Sequence, residues 1–255
     1  MTVRVEADGP VTTVTLDRPD TLNAVTNRLV ADLGDALAAI GDDHDCRVVV
    51  LTGAGRGFCS GMDLKVGIGA DRTEATAMMR TAVAAIRLMR DIPQPVVAAV
   101  NGPAVGAGFA FASASDLRIA GPDALFSAPF VRLGMSAGDL SLSWFLPRQI
   151  GAARASQLFL TGGSLDAAEA LRLGYVSEVH PDPVGRARQL AARIAGQPVD
   201  GVRETKRLLD RSIAGEGFAE HLERELRTQV DLAFAGDLDR ARDHFIRQHH
   251  APTPT

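Results

Sequence analysis

The sequence predicts an α/β protein with a helical C-terminal part, and three observations carry that prediction. Two continuous β-branched runs, residues 47–53 and 95–102, are of the kind that crossover helices bury on both faces of a parallel sheet. Helical periodicity fills the intervals around them. After Pro183 no strand signal remains, and segments 184–195, 199–213, 216–234 and 237–248 all read as helix. The prediction is therefore an α/β core over 1–195 followed by a helical part over 196–255.

The chain opens with β-branched segments at 3–6 and 11–17 around Asp8-Gly9, which predicts a hairpin. Thr26 then suits an N-cap, and Leu29, Val30, Leu33, Ala36, Leu37 and Ile40 form one helical stripe that Gly41 is expected to end. The strand at 47–53 and the strand at 95–102 flank a helix over 74–91. Short strands are expected at 117–120 and 176–179. Helices are expected at 138–149, 152–160 and 165–172, the last with Ser164 as cap. In the C-terminal part, Phe218, Leu222, Leu226, Val230 and Phe234 recur at four-residue steps, a stripe that demands burial. The tail, HHAPTPT, is expected to be disordered.

Bulk numbers exclude several classes of function. With 255 residues and 46% apolar composition the chain can bury a large core. Its 27 basic and 31 acidic residues leave a net charge of −4, which offers no field to attract nucleic acid. An anionic ligand would have to meet a few local Lys or Arg side chains. Cys46 and Cys59 are the two cysteines, and MTVRVEADGP has neither the basic nor the apolar region of a signal peptide, so a cytoplasmic protein is expected. No apolar run approaches the roughly 18 residues that span a bilayer, and no membrane association is expected. The six histidines, at 44, 180, 221, 244, 249 and 250, lack metal-ligand spacing, and no metal is expected.

Two glycine-rich turns follow the two core strands: GAGRGFCSGMD, residues 53–63, and NGPAVGAGFAFASASD, residues 101–116. Beyond the carboxyl ends of parallel strands such turns present backbone N–H groups, and two facing one point would make an oxyanion hole. The first turn begins like a dinucleotide fingerprint, but Phe58 occupies the third glycine position. It also centres Cys59 like a nucleophile elbow, yet several residues separate Cys59 from its strand, so a small buried cysteine is expected. Within RLGMSAGDLSLSWFLPRQIG, Asp139 follows a small-residue loop at the expected start of a helix whose Leu142, Phe145 and Leu146 look buried. It reads either as a carboxylate favoured by the helix dipole or as a catalytic group.

LDRPDTLNAV, RVVVLTGAGRGFCSGMDL, VVAAVNGPAVGAGFAFASASDLRIA and SWFLPRQIGAARASQLFLTGGSLDAAEALRLGYVSEV resemble, in order and spacing, the crotonase superfamily, also called the enoyl-CoA hydratase/isomerase family. The resemblance covers nearly the whole chain and is weakest after about residue 200. It implies a crotonase-like ββα spiral core with a helical C-terminal part that serves oligomerisation or covers a site. It also implies an acyl-CoA thioester substrate, with CoA as part of the substrate and no separate cofactor. The oxyanion donors would be the N–H groups of Met62, after Gly61, and of Ala107, between Gly106 and Gly108. Arg56 and Lys65 fall at positions near the CoA phosphates. A homotrimer or dimer of trimers is implied as well.

Hydratases of the family hold water between two glutamates, and the matching positions here are Ala110 and Phe130. Losing a positioned acid or base costs on the order of 10²–10⁴ in rate. Isomerases of the superfamily carry an acid at the place matching Asp139. The expected function is double-bond isomerisation of an enoyl-CoA, with Asp139 as proton shuttle among apolar neighbours drawn from Leu140, Trp144, Phe130 and Ala110. Water addition or other acyl-CoA chemistry through Asp139 is the alternative within the enzyme class, and a non-catalytic acyl-CoA-binding protein is the alternative outside it.

Overall fold

The computed structural model describes residues 1–67, 69–235 and Arg242. Strands β1 (Val3–Asp8) and β2 (Val11–Leu16) form the expected antiparallel hairpin, turned by Gly9 at φ +55°. Helix α1 (Asn27–Asp42) starts where Thr26 accepts a hydrogen bond from the Leu29 N–H. It runs through Gly41 instead of ending there. A side chain at 41 would stand 3.0 Å from Ile92, so that glycine serves close packing between helices and the helix stops one residue later.

Strand β3 (Val48–Gly53), helix α2 (Arg72–Asp91) and strand β4 (Val96–Val100) follow the predicted alternation. The chain continues through β5 (Ala104–Val105), α3 (Ala107–Ala114), β6 (Leu117–Ala120) and β7 (Leu125–Ser127). Next come α4 (Leu142–Ile150), α5 (Ala152–Thr161), β8 (Ser164–Asp166), α6 (Ala167–Arg172) and β9 (Glu178–Val179). Asp166, not Ser164, caps α6 by accepting from the Glu169 N–H; Ser164 is taken up in β8, paired with Ser127.

One sheet has the order β1-β2-β3-β4-β6-β9, and a second has β5-β7-β8. From β2 to β9 the large sheet is parallel, which accounts for the fully buried β2, β3 and β4. Parallel alignment brings the carboxyl ends of β3 and β4, and with them the two glycine turns, to the same edge. Asn101, just past β4, donates its side-chain amide to the carbonyls of Gly53 (2.9 Å) and Gly55 (3.0 Å).

The chain divides into two compact units, Met1–Ile194 and Ala195–Thr255. Helix α7 (Pro183–Ala195) reaches the boundary between them, and the second unit contains α8 (Val199–Ala214) and α9 (Phe218–Phe234). The segment 237–248 and the tail, expected as helix and disorder, lie outside the described residues apart from Arg242. In the α9 stripe, Phe218 is 80% and Phe234 87% exposed, and Leu222, Leu226 and Val230 are exposed too. The four-residue repeat builds one apolar face that is exposed among the described residues. Among the described residues no helix is long and apolar enough to cross a membrane, and no three His, Cys, Asp or Glu side chains gather as metal ligands.

Candidate active site

The two glycine turns are tied to each other by backbone hydrogen bonds. Cys59 N–H donates to the Pro103 carbonyl (3.0 Å), and the Val105 N–H returns a bond to the Cys59 carbonyl (2.9 Å). Two glycines make the approach possible. A Cβ on Gly61 would lie 2.8 Å from the Val105 carbonyl oxygen, and one on Gly108 would lie 2.1 Å from the Cys59 oxygen. Gly61 also has φ +85°, open to glycine at little cost.

This interlock leaves two amides without partners among the described residues. Val25 pairs across Met62, but its bonds use the Gly61 carbonyl and the Asp63 N–H, so among the described residues the Met62 N–H donates to no acceptor. Ala107 is the first residue of α3, and its N–H likewise has no protein acceptor. The built Cβ of Gly61 stands 3.8 Å from the Ala107 nitrogen, which puts the two turns side by side. Ala107 further adds the positive pole of α3.

Both amide-bearing residues line one cavity of about 150 Å³, together with Gly61, Gly106, Phe130, Leu140 and Asp139. Asp139 is the single carboxylate of that lining. Ser60 apart, the remaining walls are apolar, and three of their residues, Met78, Met79 and Ala82, come from α2. Asp139 is half-buried. Burial pushes its carboxyl above the usual carboxylate range, and a hydrogen bond from the Leu140 N–H offsets part of that rise. Asp139 does not open α4. Leu140 and Ser141 take positive φ (45° and 66°), so the helix begins at Leu142, and Asp139 sits in the preceding loop away from the helix's first turn. Leu142, Phe145 and Leu146 are buried as expected.

Other sequence candidates stand elsewhere. Ala110 is buried inside α3 and Gly108 packs on Cys59; neither lines the cavity. Trp144 is 43% exposed, stacked under Arg148 at 3.6 Å and absent from the lining. Arg56 and Lys65 are exposed and outside the cavity, though Lys65 adjoins the lining residue Leu64. Cys59 is fully buried, and burial pushes its thiol up to about 12, which suits a packing residue and not a nucleophile.

Sequence reasoning missed the support behind Met62. Arg18 reaches Asp63 (3.1 Å) and the Ala24 carbonyl, so the residue after Met62 is clamped to the loop before α1. Hydrogen bonding from Arg18 holds the Asp63 carboxyl below its usual range. Asn23, fully buried, donates to the Gly57 carbonyl (2.8 Å) and accepts from the Arg18 N–H (2.8 Å). The signal was present in LDRPDTLNAV, but only the fold gives those side chains their partners.

A parallel-sheet fold here places two amides beside one largely apolar cavity, an arrangement able to stabilise negative charge that develops on an oxygen. The enoyl-CoA hydratase/isomerase family model matches residues 6–251. The probable enoyl-CoA hydratase echA12 of Mycobacterium bovis is 39% identical over 88% of this chain and 82% of its own length. The 1,2-epoxyphenylacetyl-CoA isomerase of Escherichia coli K12 is 37% identical over 78% of each. Among solved structures, a putative enoyl-CoA hydratase from Streptomyces coelicolor aligns with a TM-score of 0.91 at 38% identity, covering 99% of this chain and 93% of that one. The chain belongs to the enoyl-CoA hydratase/isomerase family and has the crotonase fold. It is an acyl-CoA enzyme of the hydratase/isomerase type.

Proposed function

We propose that the protein moves a double bond along the acyl chain of an enoyl-CoA, with Asp139 carrying the proton. The observation behind this reading is that Asp139 is the single carboxylate on a cavity that also holds both unpartnered amides. The thioester oxygen accepts hydrogen bonds from the Met62 and Ala107 N–H groups, and the enolate that forms is stabilised there. Asp139 removes a proton from the carbon next to the thioester. The electron pair delocalises over the neighbouring double bond, and Asp139 returns the proton two carbons further along.

A two-carboxylate hydration has no second acid in this lining, since Phe130 fills one expected position and Ala110 is packed inside α3. The CoA moiety is substrate and no further cofactor takes part; exposed Arg56 and Lys65 are suited to its phosphates. The isomerase relative, acting on an acyl-CoA, is consistent with this chemistry. The exposed α9 face supports association into a homotrimer or dimer of trimers, which light scattering of wild type and Leu226→Glu tests.

The decisive assay incubates the protein with a 2-enoyl-CoA and a 3-enoyl-CoA in deuterated water and follows the products by mass. Deuterium gain with a shifted double bond, lost in Asp139→Asn, is the expected result. Hydroxylated product from the 2-enoyl substrate overturns the reading in favour of hydration. Binding without any turnover moves the protein to non-catalytic acyl-CoA binding.

A further inference from the structure

Four of the six methionines, Met62, Met78, Met79 and Met135, line the one cavity described above. They come from three separate segments: the first glycine turn, α2 and the loop before Asp139. Met78 is buried with the core, while the other three open toward the cavity. Met89 is fully buried in the core, whereas Met62 and Met79 are partly open and Met135 is 38% exposed. Thioethers are unbranched and polarisable, so they remould around an occupant and make favourable contacts with π-systems. A wall built for a straight saturated chain gains nothing from sulfur that leucine would not supply.

Size and polarity point the same way. About 150 Å³ is the scale of an apolar cavity that holds one six-membered ring. Phe130 closes one side, its ring 3.7 Å from where a Cβ on Gly106 would be. Apart from the two amides and Asp139, the lining offers one hydroxyl, and Ser60 already donates it to the Thr21 carbonyl (3.0 Å). A hydroxyl on the acyl group could be met only by the Ser60 oxygen or by Asp139, and a second negative charge would enter beside Asp139 with no cation in the lining.

From these observations we infer that the acyl compartment takes compact, unsaturated, ring-bearing acyl groups without polar substituents, in preference to long straight chains. The inference rests on the acyl-CoA reading given under Proposed function but not on proton transfer by Asp139.

Equilibrium binding separates the two. Wild type and Met78→Leu/Met135→Leu are titrated by calorimetry with phenylacetyl-CoA, hexanoyl-CoA, dodecanoyl-CoA and free CoA, none of which turns over by double-bond migration. Phenylacetyl-CoA should bind at least about tenfold more tightly than dodecanoyl-CoA. The double variant, which conserves volume and removes two sulfurs, should lose most of that preference. Equal or tighter binding of dodecanoyl-CoA overturns the inference in the wild type alone, whatever the variant's folding. Retention of the full preference without the sulfurs overturns the role of the methionines. If no thioester binds more tightly than free CoA, the acyl-CoA reading of the cavity falls with it. Loss of deuterium exchange in the earlier assay, with the binding preference intact, leaves this inference standing.

Discussion

Replacing Gly108 by alanine tests the central geometric claim, that the two glycine turns form one rigid unit. The added Cβ would lie 2.1 Å from the Cys59 carbonyl oxygen and 2.8 Å from the Cys59 Cβ. Backbone on both sides must separate by about 1 Å to reach even tight contact, and overpacking of this kind costs roughly 1–3 kcal/mol. That displacement falls on the segment that sets the spacing of the Met62 and Ala107 amides. A misplacement of about 1 Å costs on the order of 10²-fold in rate, and loss of one oxyanion donor about 10²–10³. Turnover of a 3-enoyl-CoA should therefore fall about 10²-fold or more, with a lowered Tm. Gly34→Ala is the control. It lies inside α1, meets nothing within 4 Å, and should raise stability by about 0.5–1 kcal/mol with unchanged turnover. A Gly108→Ala protein with wild-type Tm and turnover within about twofold would refute the interlock.

Three other outcomes are expected. Asp139→Asn should lower turnover by about 10²–10⁴ while leaving thioester binding in place. Burial raises this carboxyl, so the folded state favours its protonated form. The stability it contributes is full below pH 3.8 and is lost as pH rises through its folded pKa, so the variant should melt higher than wild type at pH 7 and converge with it near pH 3.8. Arg18→Gln should lower Tm and turnover more than Arg28→Gln, because Arg18 is largely buried and clamps Asp63 beside Met62 whereas Arg28 is mostly solvent-exposed; melting curves and initial rates check this. Glu216 accepts from Arg224 (2.6 Å) and is in contact with His221 (3.1 Å), and these contacts bring its pKa down to about 2. Its contribution to the α8–α9 turn is present above pH 4.5 and is lost as pH falls through about 2; carbon-13 carboxyl titration should follow that step, and Glu216→Gln should abolish it.

Much of this protein is determined by local pattern. The β-branched runs of β3 and β4 have to be buried on both faces, the Thr26 cap and its stripe make α1, and the glycines at 61, 106 and 108 announce turns that bring backbone close to backbone. Ordered motifs also identify the crotonase relationship, because such turns recur at fixed places along the chain. Local pattern is a poor guide where a residue's role depends on what meets it from afar. Gly41 reads as a helix stop and proves to be a seat for Ile92; Ser164 reads as a cap and is claimed by strand pairing. The positive φ angles of Leu140 and Ser141, which hold Asp139 in a loop, have no sequence signature in residues of those types. Tertiary structure alone decided that Met78, Met79 and Met135 share a cavity with Asp139, that Trp144 lies outside it, and that Arg18 finds Asp63 across 45 residues. Periodicity can say that α9 owns an apolar face. Whether that face is covered depends on the surfaces packed around it, and among the described residues it is exposed.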